Sequence, residues 1–178
     1  FGKKEENIND IIIYKKFKKN LNRYRSNNQI FKPELKSKKS TNIVATIAFF
    51  FEKKRINNLN KVCEQLNNIS KFNKIYILTN KISAKELGLL KKKIKVKVNF
   101  IIIKEILHNR LLPWYHYDLM KKSFKQKKIT HFIYLEDDML INKKNFDYWV
   151  NSRKFLKQFN LIPGFVRIEK NKSDNNLY

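Results

Sequence analysis

His131-Phe132-Ile133-Tyr134-Leu135 runs directly into Glu136-Asp137-Asp138. An apolar run of this kind reads as a strand buried on both faces, as in a parallel sheet with helices above and below. Carboxylates are kept out of such a strand because burying an unpaired charge is costly. They belong just past its C-terminal end, where open α/β sheets place their ligands. Three adjacent acids repel one another unless something positive sits among them. A divalent cation with a preference for hard oxygen ligands, Mn2+ or Mg2+, meets that need. If strand geometry persists, Glu136 and Asp138 share one side and Asp137 turns to the other. A solvated acidic turn held by lysines is the alternative reading of the same three residues.

Other chemistries have less to work with. Cys63 is the only cysteine, which excludes an intramolecular disulfide and a cysteine zinc site. Three glycines in the whole chain exclude a dinucleotide fingerprint and a P-loop, and Phe49-Phe50-Phe51-Glu52 stands where such a loop would follow the first strand. A nucleotide-binding domain without glycine fingers must hold its diphosphate by another device, and a carboxylate-bound metal is the simplest. A two-metal nuclease or nucleotidyltransferase would draw on further acids. Glu52, Glu105 and Asp118 are available but follow no matching pattern.

The elements that must position the acids follow an α/β rhythm. Asn42 to Phe51 is β-branched and aromatic and predicts a buried strand. Leu59, Val62, Cys63, Leu66 and Ile69 recur at helical spacing. Lys74 to Leu78 predicts a second strand, and Ser83 with Glu86 three residues on is a capping box opening the next helix. Val96 to Ile103 predicts a third strand, and His131 to Leu135 the fourth. In the helical region between them, Pro113 suits a first turn, and Trp114, Tyr117, Met120 and Phe124 form an apolar stripe that reads as core. Asn142 or Asn145 caps a helix carrying Phe146, Trp149, Val150 and Leu156, and Gly164 to Glu169 alternates like a strand. The expectation is an α/β domain over 41–178, a mainly parallel sheet flanked by helices with right-handed crossovers and the acids in a cleft at the C-terminal edge. Residues 1–40 form a basic helical extension and linker before it.

Apolar strand, Glu-Asp-Asp, an apolar residue and a short link to an aromatic helix together resemble the metal motif of GT-A glycosyltransferases. The pattern is similar to the Glu-Asp-Asp form in N-acetylglucosaminyltransferase I-like enzymes. The resemblance extends back through the helix from Trp114 to the strand at Asn42. It implies a sugar nucleotide-binding fold, a nucleoside-diphosphate sugar donor, and a glycan or other hydroxyl acceptor. Asp138 would be the direct metal ligand, with Glu136 at the metal or acting alongside Asp137 through water or the ribose. Base contacts would fall near Thr46, Ala48, Thr79 and Asn80. Enzymes of this pattern carry an acid at about Asn80, so the donor base stays open. Arg110 would reach phosphate or Glu136, against a surface salt bridge as its plainer use. Glu169 would be a general base, or a partner of Arg167 or a lysine. The acceptor-binding half of such enzymes is expected to lie beyond Tyr178.

The formal charge is +25, which ordinarily points to nucleic acid or an anionic membrane. The basic residues are 34 Lys against 6 Arg, spread along the chain, whereas arginine is preferred for bidentate phosphate and base recognition. Lys, Asn and Ile dominate together, a compositional bias that argues against nucleic acid. A non-enzymatic basic module is the alternative function class. Ile13, Phe17, Leu21 and Tyr24 lie at helical spacing among lysines, so peripheral membrane contact is open to the N-terminal segment, as is packing on its own domain. No apolar run approaches the ~20 residues of a spanning helix and no signal peptide is visible, which points to the cytoplasm. The chain opens on Phe1 and not on Met, which leaves a preceding segment open.

Overall fold

The computed structural model describes residues 41–106, 108–126 and 128–164. Two compact units divide the chain: one is Ser37–Phe146, and the described part of the other is 147–164. The first carries a four-stranded, wholly parallel sheet: β1 (Asn42–Phe49), β2 (Phe72–Asn80), β3 (Asn99–Ile103) and β4 (His131–Glu136), in the order β3-β2-β1-β4. The described α-helices are α1 (Ile56–Asn67), α2 (Ala84–Lys93), α3 (His116–Phe124) and α4 (Lys143–Leu156). The α/β expectation holds. Among the described residues no helix is long and apolar enough to cross a membrane.

β1 is central, and its residues 43–49 are all buried. Parallel register partners project to the same side, so Ala48 shares a face with Leu78 and Glu136, and Thr46 with Tyr134. Ala48 and Leu78 pack there with Leu112, beside Tyr134. Right-handed crossovers place α1 and α2 on the other face, that of Ile43, Ile47, Ile75 and Ile77. α1 buries Leu59, Val62, Cys63 and Leu66, as their spacing predicts. Its last carbonyls are satisfied by Asn73 Nδ2, 2.8 Å from Leu66 O and 3.2 Å from Asn67 O. α2 opens on the expected capping box: Glu86 N–H donates to Ser83 Oγ at 3.2 Å, and Ser83 N–H to Glu86 Oε2 at 2.7 Å.

Two strands are shorter than the sequence predicts. β1 stops at Phe49 because Phe51 N–H is taken by Asn80 Oδ1 at 2.8 Å. β3 starts only at Asn99, since Lys95 N–H donates to Asn60 Oδ1 of α1 at 3.0 Å and draws the preceding residues off the sheet.

A larger correction concerns α3. Pro113 lies within a 3-10 turn, Asn109–Tyr115, and the α-helix starts after it. The inward positions are then 116, 119, 120 and 123: the His116 ring stacks on Tyr134 at 4.4 Å, and Ser123 is buried. Of the expected core stripe only Met120 is partly covered, while Trp114, Tyr117 and Phe124 are exposed by 72%, 61% and 77%. A rotation of one residue, about 100° of helix, separates the two readings.

Asn142 caps α4 through reciprocal bonds with Asn145, at 3.0 and 3.1 Å. In the second unit Asn160 adopts the left-handed conformation at φ 58°, and Leu161 N–H returns to Leu156 O at 3.2 Å, closing the helix end as a Schellman-type cap. Trp149 Nε1 donates to Pro163 O at 3.1 Å. The strand expected from Gly164 to Glu169 falls largely outside the described residues.

Candidate functional site

The chain steps from β1 outward to β2 and β3, then returns to the other side of β1 as β4. The crossover after β1 therefore leaves on one side and the approach to β4 comes in on the other. A crevice opens between their C-terminal ends, the position at which open α/β sheets bind ligands. After β1 the chain makes a 3-10 turn, Lys53–Arg55, with Arg55 N–H on Glu52 O at 3.0 Å. After β4 the acids form a tight turn, with Met139 N–H on Glu136 O at 3.1 Å. Segments far apart in sequence thus meet: Arg55 Nη2 lies 2.6 Å from Asp137 Oδ1 and 3.9 Å from Asp138 Oδ2. A cavity of about 310 Å³ occupies the crevice, its polar lining supplied by Arg55, Glu136 and Asp137 and its walls by Ala48, Phe50, Leu112 and Pro113.

The acids occupy three different environments. Glu136 is exposed at the end of β4 and lines the cavity. Asp138 is exposed and within reach of Arg55. Asp137 is only 2% exposed, and its Oδ2 is buried with no hydrogen-bond partner although Oδ1 is held by Arg55. Burial pushes the Asp137 carboxyl up to about 6; the neighbouring Asp138 adds to this, while Arg55 opposes it. Beneath, the Tyr134 hydroxyl is pushed up to about 12, first by burial and then by the Glu136 carboxylate.

The expected site residues separate into two groups. Ala48, Glu136 and Asp137 line one cavity. Thr46 and Thr79 are fully buried and line none of it. Asn80 braces the loop after β1 by accepting from Phe51 N–H. Arg110 lies in the 3-10 turn before α3, its side chain outside the described ones, and Glu169 is likewise outside. Glu52, Glu105 and Asp118 are exposed and none lines the cavity, so the acids a two-metal site would draw on are not gathered there. The residue that sequence reasoning passed over is Arg55. Its signal was present: arginine is scarce in this chain, and one stands just past the C-terminal end of the central strand.

Among the described residues no three His, Cys, Asp or Glu side chains converge as a ready-made metal cage. Mg2+ and related ions in phosphate-handling sites commonly take one or two carboxylates and leave the other positions to water and substrate phosphates. Glu136 and Asp138 supply such oxygens at the end of β4, and the unpartnered Asp137 Oδ2 lies between them in sequence. In kind these oxygens suit a hard divalent ion, with Glu136 lining the cavity and Asp138 in the turn beside it. Comparison with known protein families gives no match, and no curated protein matches the sequence either.

Proposed function

We propose that this domain binds the diphosphate of a sugar nucleotide in the crevice between β1 and β4 and serves a metal-dependent glycosyl transfer to a hydroxyl acceptor. The observation carrying the proposal is the grouping of Arg55, Glu136 and Asp137 around a cavity at the switch point of a parallel sheet, with one buried Asp137 oxygen unpartnered. The resemblance of the Glu-Asp-Asp context to GT-A enzymes supports the same reading. Asp138 and Glu136 would hold the Mn2+ or Mg2+, which when bound supplies Lewis-acid stabilisation of charge on the departing diphosphate. Asp137 anchors the turn by holding Arg55, and the partly exposed guanidinium offers a fixed positive charge at the cavity. Such positioning needs no covalent intermediate on the protein.

Calorimetric titration of the 178-residue chain with uridine, guanosine, adenosine and cytidine diphosphates tests this. At least one should bind with Mn2+ or Mg2+ and lose affinity in EDTA. Asp138→Asn should weaken that binding more than Glu136→Gln, for which ~10–100-fold is typical of a supporting carboxylate. Equal affinity in EDTA, or binding by none of the four, overturns the proposal.

A further inference from the structure

The outward face of α3 is not used by the site just described, and its composition is unusual for a surface. Trp114 in the 3-10 turn just before it, and Tyr117 and Phe124 on the helix, expose 72%, 61% and 77% of their area. Tyr117, Lys121 and Phe124 lie at i, i+4 and i+7 on one side of the helix. Lys122, Lys125 and Lys128 are exposed around them, against a single acid on the helix, Asp118. Lys121 Nζ sits 5.8 Å from the centre of the Tyr117 ring, and Phe124 lies 6.0 Å from Phe132. The result is a strip of exposed rings accompanied by ammonium groups.

We infer that this face of α3 docks on an anionic lipid bilayer. Rings of Trp and Tyr settle at the headgroup level, where an apolar body and a polar edge are both satisfied. Lysines beside them extend their ammonium groups to lipid phosphates while their stems lie along the apolar layer. The charge is complementary to an anionic surface and opposed to a basic partner. Single-stranded nucleic acid, the other polyanion that aromatic and basic side chains take, needs stacking faces in a groove that tracks its backbone. Here one face of the Tyr117 ring is covered by Lys121, and one side of Phe124 is set against Phe132. Pro113, next to Trp114, lines the cavity, so docking brings the cavity to the lipid surface.

Only two tryptophans are present, so Trp149→Phe leaves Trp114 as the sole indole reporter. With phosphatidylcholine vesicles containing phosphatidylglycerol, its emission should shift to the blue and the protein should sediment with the lipid. Vesicles of phosphatidylcholine alone should give neither. Phe124→Ser should weaken the partition about tenfold, as loss of one buried aromatic side chain predicts. Trp114→Ser/Tyr117→Ser/Phe124→Ser should abolish it with an unchanged circular dichroism spectrum. Undiminished binding by the triple variant, or no binding by the parent, overturns the inference. A blue shift produced instead by a single-stranded oligonucleotide, or by raising protein concentration without lipid, would give the face to nucleic acid or to a second copy.

Discussion

Asp137→Asn separates the two forces acting on the candidate site. In the parent, Asp137 is a nearly inaccessible carboxyl with a guanidinium 2.6 Å from one oxygen and nothing on the other. Desolvation of a charged group costs several kcal/mol, and attraction to Arg55 at a surface-like effective dielectric returns an amount of the same order. Desolvation wins, moving the carboxyl from 3.8 to about 6. The folded state then binds this proton more tightly than the unfolded chain, so the Asp137 contribution to stability falls as pH rises from about 4 to about 6 and levels off above. At 1.36 kcal/mol per pH unit the fall is about 3 kcal/mol. In a chain of this size it corresponds to a Tm change of the order of 10 °C.

Asparagine keeps the shape and one oxygen for Arg55 but has no proton to lose. Melting curves by far-ultraviolet circular dichroism, taken for parent and variant across pH 4 to 8, isolate the contribution because the other carboxylates are common to both. The variant should gain on the parent as pH rises through the window, then hold a constant advantage at neutral pH. Parallel curves would show that Asp137 titrates normally. A parent that gains on the variant with rising pH would show that Arg55 outweighs burial, and the reasoning would be refuted.

Two further outcomes follow from the scaffold. Gly88 lies mid-way along α2 with open space where a Cβ would stand, so Gly88→Ala should stabilise the domain by about 0.5–1 kcal/mol in urea unfolding. Cys63 is fully buried and its thiol is pushed up to about 12, chiefly by burial, so iodoacetamide at neutral pH should label it only when the protein unfolds.

Much of the fold is legible in the sequence because its signals are local. The run 42–49 is apolar enough to be a strand buried on both faces, 131–135 is recognisable as a strand although at the sheet edge only Ile133 and Leu135 are buried, and the Ser83–Glu86 box needs only its own turn. What sequence reading misplaces is set by partners far along the chain. Asn80 ends β1, and Asn60 delays β3, each by capturing one backbone N–H. The phase of α3 is misjudged for a related reason. Apolar character alone favours Trp114, Tyr117 and Phe124 as the buried stripe, yet the helix starts beyond Pro113 and turns His116 onto Tyr134 instead. A histidine that can stack on a tyrosine ring fills that position with no hydrophobic periodicity to announce it.

The candidate site follows from the same distinction. Glu136, Asp137 and Asp138 are conspicuous as neighbours in sequence, but the alternation that would set Asp137 apart from the other two ends with the strand at Glu136: in the turn that follows, Glu136 and Asp137 line the cavity and Asp138 does not. Alternation cannot supply the reason Asp137 is buried, which is Arg55, 82 positions earlier. That pair changes what the three acids can do. With Asp137 held by Arg55, the exposed carboxylates of the turn are Glu136 and Asp138, the latter also 3.9 Å from the same guanidinium. The guanidinium also lowers the negative charge of the cluster and favours an anionic group over a bare cation. A ligand carrying both signs, a diphosphate with its divalent ion, is matched by this arrangement better than either part alone. Arg55→Met should therefore weaken nucleoside diphosphate binding even with Mn2+ in excess, while Asp138→Asn should weaken it through the metal dependence.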